Sequence, residues 1–470
     1  MKNTTKKILL IQPRHNYAPH YSENKIGHIY MPTSLLAAAS IFLAIGVEVE
    51  FIDENIIQSD LNHNLVGINL LGSPYIPIAL EIEKRLKLKY DNDFLLLIGG
   101  QIVSGLSQVD MYSLFSPQTI NGNSYKNLSK YFNVKEETIP KVENLSFQDV
   151  YNLIDEKIFK LYLENEFGFY LSQGCKYSCS FCAAKRTIIL SDLGIKNREV
   201  EVFRNIDLAL ADLEFLIKKA INFGIKKIQI YLSNLDLFQN PQNLFPFAEG
   251  VVKLTKKYHP LKIKMRGLST SRSFIKAHIR YPYVIKEMVK AGLFQIGFGI
   301  DGATPKVYKE TRKPQTVKES LDAVKISRES YNITPETLMV FGHNNKEDEK
   351  ALELAVVFCK DMQEKYGASP RPHVAKDIIP GNDGWFNPSN RNILEQFYKN
   401  TFLFQNLDFT AVPSPITHPN PEFRSLVTKY YKMVCDLPNS LTQYVLAELP
   451  DMSESELKSV RLHNQGRYDI

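Results

Sequence analysis

Five cysteines in 470 residues are too few for a disulfide framework, and an odd number leaves one without a mate. Long apolar runs are missing as well. The basic opening Met1-Lys-Asn-Thr-Thr-Lys-Lys7 leads into Ile8 to Ile11, and Gln12-Pro13-Arg14 stops that run. It is too short for a signal-peptide core or a membrane span, so no membrane partner is expected. Basic residues exceed acidic ones only by 57 to 51, with no long basic block. Nucleic-acid binding is therefore not indicated, while an anionic small substrate is compatible. What remains is an ordinary globular composition, 44% hydrophobic and 23% charged, in a chain long enough for two or three domains. Reduced thiols suit a cytoplasmic location.

Where cysteine does occur, it is concentrated. Cys175-Lys-Tyr-Ser-Cys179-Ser-Phe181-Cys182 places three of the five within eight residues. Random scatter would give this spacing with a probability on the order of a few in ten thousand. Thiolates suit soft metals and iron-sulfur clusters, and gaps of this length let one loop wrap its sulfurs around one inorganic centre. A closed zinc site needs a fourth Cys or His. The nearest histidines in sequence are His63 and His259, so zinc is disfavoured unless a distant ligand folds in.

Cys-X3-Cys-X2-Cys with an aromatic residue before the last cysteine resembles the signature of the radical S-adenosylmethionine (SAM) enzymes. The resemblance implies that Cys175, Cys179 and Cys182 hold three irons of a 4Fe-4S cluster. The fourth iron is left to chelate SAM, and Phe181 lies beside the cofactor. Reductive cleavage of SAM would then give a 5'-deoxyadenosyl radical, the cofactors doing the hard chemistry and the protein aiming it. An external electron donor such as flavodoxin or ferredoxin is implied. No cysteine precedes Cys175, which excludes the N-terminal second cluster of the methylthiotransferases, and Cys359 and Cys435 are too few for a C-terminal auxiliary cluster.

The residues before the cysteines alternate between two patterns. Lys7–Pro13, Val47–Asp53, Leu65–Leu71 and Phe94–Gly100 read as strands, and Pro32–Leu43 and Ile76–Lys89 as helices. Such alternation predicts a Rossmann-like, doubly wound parallel sheet over residues 1–125, with ligands beyond the carboxyl ends of the strands. Gly72-Ser73 and Gly99-Gly100 stand at two of those ends. This order resembles the cobalamin-binding domain fused ahead of the cysteine motif in one class of radical SAM enzymes, and it implies that Gly72, Ser73, Gly99 and Gly100 accommodate cobalamin. Glycines that merely make tight turns are the alternative. The Asp-X-His-X-X-Gly pattern that ligates cobalt from below is absent. His15 is the nearest approach to it, and as a lone loop histidine it reads as solvent-facing.

After a linker at 126–165, strand-helix units recur. Phe169–Ser172, Lys227–Leu232, Lys262–Arg266, Gln295–Ile300 and Thr337–Gly342 read as strands, and Asp207–Phe223 as a helix closed by Gly224. They suggest a partial (β/α)6 barrel over 166–375, with its site at the strand C-termini. Against the family's pattern, Ser233, Asn234 and Asp236 fall at the second strand, near the SAM amino group. Arg266 falls on the fourth strand. Gly299 and Asp301 resemble the fifth-strand Gly-X-Glu element, with Asp in place of Glu, and Gly342 resembles the sixth-strand glycine near the adenine. Arg312 and Lys313 could clamp a carboxylate or phosphate, the alternative being a solvated turn. His343, at a strand end, is the other candidate catalytic group.

Residues 376–470 predict a small, mainly helical region interrupted by the proline-rich Val412–Pro421. It offers a lid or substrate wall, with Trp385 and His418 either touching the site or simply packed. The fold class expected is thus α/β throughout the first two domains. The function this favours is a cobalamin-dependent radical SAM methyltransferase acting on an unactivated carbon of a small biosynthetic intermediate. The alternatives are rearrangement, ring contraction, cyclisation or decarboxylation on the same architecture, or a non-catalytic metal- or corrinoid-binding protein.

Overall fold

The computed structural model describes residues 6–13, 31–57, 59–184, 201–344, 346–407 and 413–441. His15 lies outside them.

Five short strands form the first sheet: the largely apolar β1 (Lys7–Gln12), β3 (Leu65–Asn69) and β4 (Leu95–Gly99), the alternating β2 (Glu48–Asp53), and β5 (Thr119–Asn121). All pair in parallel in the order β2-β1-β3-β4-β5. The order reverses between β1 and β3, which makes this a doubly wound sheet with a ligand crevice at its strand ends. The two-residue period of a strand divides the core. Ile8 and Leu10 face one side, with Leu36, Ala39 and Phe42 of the helix Thr33–Ala44. Leu9 and Ile11 face the other, with Ile76, Ala79, Ile82 and Leu86 of the helix Ile76–Tyr90. Strand β5, only three residues long, is absent from the sequence-based expectation.

Residues 126–165 are folded rather than extended, with helices at Tyr125–Phe132, Gln148–Tyr151 and Glu156–Glu164. A buried cation ties this stretch to the barrel. Arg204, on the far side of the cysteine loop, donates to the Leu145 carbonyl at 2.6 Å, pairs with Asp212 and stacks 4.3 Å above the Phe147 ring. Asp212 also accepts from Ser146 Oγ and the Phe147 amide, both at 3.0 Å. The pair is wholly excluded from solvent, so its hydrogen bonds have to offset the desolvation.

The second sheet runs through β6 (Glu166–Phe169), β9 (Lys227–Leu232), β10 (Lys262–Ser269), β11 (Leu293–Gly299), β12 (Thr334–Phe341) and β13 (Ser369–Val374). These six strands are parallel in the order β13-β12-β11-β10-β9-β6, and β7 (Ser172–Gln173) and β8 (Val202–Phe203) make a separate antiparallel pair. Since β6 and β13 are not partners, the barrel is partial. Ile228, Ile230 and Leu232 of β9 face the outer helices, while Tyr231 and Arg266 turn inward.

Two expectations are corrected here. The first barrel strand is Glu166–Phe169, not Phe169–Ser172. The strand numbering also moves down by one: β9 pairs directly with β10, so Arg266 lies on the third barrel strand, Gly299-Asp301 ends the fourth and Gly342 follows the fifth. The sixth strand is Ser369-Pro-Arg-Pro-His-Val374, whose prolines concealed it. Proline is confined to edge strands, and β13 is an edge. Pro370 and Pro372, two residues apart, direct their missing N–H away from β12. The Pro370 carbonyl on that open side accepts from Leu441 N–H at 2.7 Å.

The C-terminal region returns to the first domain. Trp385, Phe397, Phe404 and Leu407 join the core that contains Leu9 and Ile11; the helix Arg391–Lys399 belongs to this return, while the helix Pro421–Cys435 packs on the barrel against Glu349–Tyr366 and β13. Among the described residues no helix is long and apolar enough to cross a membrane.

Removing one member of the buried pair leaves an uncompensated charge. Asp212→Ala should lose about 3–5 kcal/mol, seen as a lower urea midpoint. Arg204→Met combined with Asp212→Leu should recover most of the loss. Equal destabilisation by the single and double variants would contradict the ion-pair account.

Candidate active site

The cysteine loop emerges from β7 through Gly174, whose φ of +116° favours glycine. Its backbone is held at several points. Gln239 bridges it, accepting from Lys176 N–H at 3.2 Å and donating to the Gly174 carbonyl at 2.8 Å. Ser180 N–H donates to the Thr311 carbonyl at 2.9 Å. Cys175 and Cys179 are half-buried and Cys182 is exposed. Burial pushes the Cys175 and Cys179 thiols up to about 12, Lys313 partly opposing this for Cys179. Metal-free, these groups stay protonated, whereas coordination would hold them as thiolates. Among the described residues no three His, Cys, Asp or Glu side chains converge as a single ion requires. The soft, all-sulfur donor set thus fits a group that spreads its ligands over several irons better than mononuclear zinc.

The strand ends around the loop carry most of the expected SAM residues. Ser233 donates through its amide and hydroxyl to the Phe169 carbonyl, at 3.1 and 3.0 Å. Asn234 is buried and donates to Ser172 Oγ at 2.6 Å, its Oδ1 left without a partner. Asp236 is fully occupied inside the fold. It accepts from Ser269 Oγ at 2.8 Å, Thr270 Oγ1 at 3.0 Å and Ser273 Oγ at 2.6 Å, so it braces the end of β10. Arg266 lies deeper in the barrel, held by both Glu166 oxygens at 2.5 and 2.6 Å and lying 4.6 Å from the Tyr231 ring centroid.

Arg312 and Lys313 part company. Arg312, at φ +55°, turns to the surface and pairs with Asp383. Lys313 turns inward and pairs with Asp301 beside Cys179. Its ammonium would be 2.9 Å from a methyl group built on Gly299, so that glycine leaves the cation room.

His343 and Gly342 follow β12. The His343 ring lies 5.1 Å from that of Phe181 and is wholly buried. Its Nε2 faces the Asp301 carbonyl at 3.1 Å and therefore donates, which leaves Nδ1 a buried acceptor without a partner. Burial lowers its pKa and keeps it neutral. Glu347, which no motif flags, accepts from the Gly342 and His343 amides at 2.6 and 2.9 Å. His418 also packs here, Nε2 to the Gly342 carbonyl at 2.9 Å. A methyl group on Gly342 would lie 2.7 Å from His418 Nε2, so this glycine admits the C-terminal region.

A cavity of about 360 Å³ lies between the two sheets. Asn69, Gly99 and Gly100 bound it from the first domain, and Ser172, Gly174 and Ser233 from the barrel. Gly100 has φ +100°, and a methyl group there would collide with Asn69 Oδ1. Asn123 fastens the same turn, accepting from the Gly100 amide at 3.0 Å and donating to its carbonyl at 2.8 Å. Asn69 Nδ2 is buried with no partner. Gly72 and Ser73 do not line the cavity; they start the turn Ser73–Tyr75, which packs against Thr401–Leu407. Sequence reasoning passes over Asn69, although its place at the end of β3 is the signal.

A model of the radical SAM superfamily matches residues 169–355. The chain carries a radical SAM domain. Such a domain takes a 4Fe-4S cluster and SAM, and the three thiols with the unsatisfied Asn234 Oδ1 are a donor set that fits both. Among solved structures, the cobalamin-dependent SAM radical enzyme OxsB, with aqua-cobalamin and SAM bound, is similar at a TM-score of 0.56 and 14% identity. The match covers 85% of this chain and 56% of that one. The apo form of OxsB gives 0.52 over 76% and 52%. This chain thus spans about half the length of the solved relative, and the likeness is one of fold. No curated protein matches.

After anaerobic reconstitution, Cys179→Ala should lose iron and the broad visible absorption of a thiolate-bound cluster. Cys359→Ala, on the outer helix Glu349–Tyr366, should keep both; equal iron in the two variants would reject the loop as ligand. A second expectation concerns pH. Burial pushes the Glu347 carboxyl up from 4.5 to about 8. A raised folded pKa contributes stability that is complete below the unfolded value and lost as pH rises through the folded one. The wild-type thermal midpoint should therefore fall between about pH 5 and pH 8, and Glu347→Gln should flatten that fall. An unchanged slope would contradict it.

Proposed function

We propose that this radical SAM protein is cobalamin-dependent and methylates an unactivated carbon of a small molecule. One observation carries the reading: a single cavity touches both the Gly99-Gly100 turn of the doubly wound domain and Gly174, the residue that leads into the cysteine loop. A corrinoid seated there would face the cluster with substrate between them, and proximity is the protein's main contribution. The fold-level likeness to an enzyme solved with cobalamin and SAM supports this.

In this reading Cys175, Cys179 and Cys182 hold the cluster. Asn234 Oδ1 accepts from the SAM ammonium and Lys313 offers its charge to the carboxylate side, while Gly299 leaves the lysine ammonium space. Asn69 Nδ2 donates into the cavity, and Gly99 and Gly100 let the corrinoid approach the backbone. Gly67 instead makes room for Leu10, since a methyl group there would lie 2.5 Å from Leu10 Cδ2. When bound, the cluster supplies the electron that cleaves SAM, and the corrinoid supplies the methyl group. His343, neutral with a free Nδ1 acceptor, is placed to take or hold a proton at the barrel mouth. Electrons come from an external donor of the flavodoxin or ferredoxin kind, and the setting is cytoplasmic.

Methyl transfer consumes SAM in two ways, so turnover should release S-adenosylhomocysteine and 5'-deoxyadenosine in equal amounts. With a metabolite extract as the substrate pool and methyl-labelled SAM, the label should enter a small-molecule product. 5'-Deoxyadenosine without S-adenosylhomocysteine would overturn methyl transfer and favour a rearrangement or cyclisation. Neither product under reducing conditions would overturn the enzyme reading altogether.

A further inference from the structure

The segment Pro380–Trp385 touches three parts of the molecule that are far apart in sequence. It comes after the last barrel strand, and its glycines leave no clearance. A methyl group on Gly105, at the end of the short helix Gln101–Ser104, would lie 2.5 Å from the Pro380 carbonyl carbon. One on Gly381, at φ +95°, would lie 3.0 Å from Ala183 Cβ and 3.3 Å from Gly105 Cα. Ala183 is the residue after Cys182. Backbone of the doubly wound domain, of the C-terminal segment and of the cysteine loop therefore meets here almost without side chains.

Polar contacts fasten the same junction. Asn382 is buried; its Oδ1 accepts from the Ile379 and Trp385 amides at 3.2 and 2.9 Å, shaping the segment. Its Nδ2 donates to the Lys376 carbonyl at 3.1 Å and, more weakly, to the Phe181 carbonyl at 3.5 Å. The next amide, Asp383 N–H, reaches the Ser180 carbonyl at 3.4 Å. Ser180 is thus held on one side by Thr311 and on the other by this segment. Trp385 anchors the far end, donating from Nε1 to Asp110 Oδ2 at 3.1 Å. Asp110 is itself the buried residue that completes the capping box of the helix Gln108–Leu114.

The helix Gln101–Ser104 begins at Gly100, which lines the cavity, and ends at Gly105, which lies against the segment. We propose that Pro380–Trp385 is a positioning strap that sets the placement of the cysteine loop relative to the doubly wound domain, with Asn382 and Trp385 as its positioning residues. Neither reaches substrate or cofactor. Both act through Ser180, Phe181 and Ala183, and the role holds whatever occupies the cavity.

Hydrogen-deuterium exchange on the metal-free full chain, together with electron paramagnetic resonance of the reconstituted cluster, tests this. Trp385→Phe keeps a ring against Phe397 and Phe404 but loses the donor to Asp110. Asn382→Asp keeps the acceptor contacts and loses the donors. Each should speed exchange of the peptide 175–184 by about tenfold while iron loading stays near wild type, and each should diminish the spectral change that SAM causes in the reduced cluster. Tyr398→Phe removes another contact to Asp110, whose capping bond from the Ser107 amide stays, without touching the strap, and it should leave both readouts unchanged. Wild-type exchange and spectra in the foldable strap variants would overturn the proposal. So would a Tyr398→Phe effect equal to theirs, because the segment would then be ordinary packing. Loss of methyl transfer with the strap effects intact would count against the proposed reaction alone.

Discussion

The mouth of the barrel depends on one constraint: a loop bearing three thiols must be held from two sides at once. Ser180 shows how. Its amide is fixed by the Thr311 carbonyl of the barrel at 2.9 Å, and its carbonyl is met by the Asp383 amide of the returning C-terminal segment. A loop tied only to its own barrel would place its sulfurs according to local backbone preference. Tied also to a segment that rests on Gly105 and Asp110, it takes its position from the first domain as well. The doubly wound sheet, the barrel and the C-terminal return are for this reason hard to treat as separate modules, and the core around Leu9 and Ile11 contains Ala183 of the cysteine loop and Ile379, Trp385, Phe397, Phe404 and Leu407 of the return.

Charge is handled by pairing inside and by sparing near the thiols. The barrel interior carries Glu166, Arg266, Glu336 and Arg371, with Arg266 on Glu166 and Arg371 within 3.1 Å of Glu336. This balanced set brings no net charge into the barrel. Close to the loop an ion pair, Lys313 with Asp301, lies next to Cys179. Buried polar atoms without a partner occur in several places among the described residues, Arg204 Nη1 and Arg371 Nε included, and three of them bear on the site. Asn69 Nδ2, Asn234 Oδ1 and His343 Nδ1 all lie around the cavity or the barrel mouth, and buried polar groups without partners are exceptions that a ligand can explain.

Much of this was legible in sequence because it rests on local pattern. Apolar runs spaced by helices gave the parallel sheets, and the cysteine spacing gave the loop. What escaped depends on tertiary context. Ser369–Val374 breaks the composition rule for strands, yet as an edge with both prolines facing outward it loses no bond to β12. Three residues sufficed for β5 only because β4 was already there to pair with it. Gly72-Ser73 and Gly99-Gly100 look alike in sequence, but of the two only the second turn lines the cavity. Arg312 and Lys313 are neighbours, yet the positive φ of Arg312 sends one side chain to solvent while the other enters the site. Trp385 and His418, each open to two readings, are packed: one joins the first domain's core and the other fills the space left by Gly342.

The proposed function puts two metal-bearing cofactors, an iron-sulfur cluster and a corrinoid, in one protein, and the metal content of the chain tests that most directly. Purified anaerobically from cells supplied with cobalamin, the protein should carry iron and cobalt together, and should release a corrinoid on denaturation. Iron without cobalt, with added cobalamin failing to stay bound through gel filtration, would contradict the claim that the cavity between the sheets is a corrinoid site.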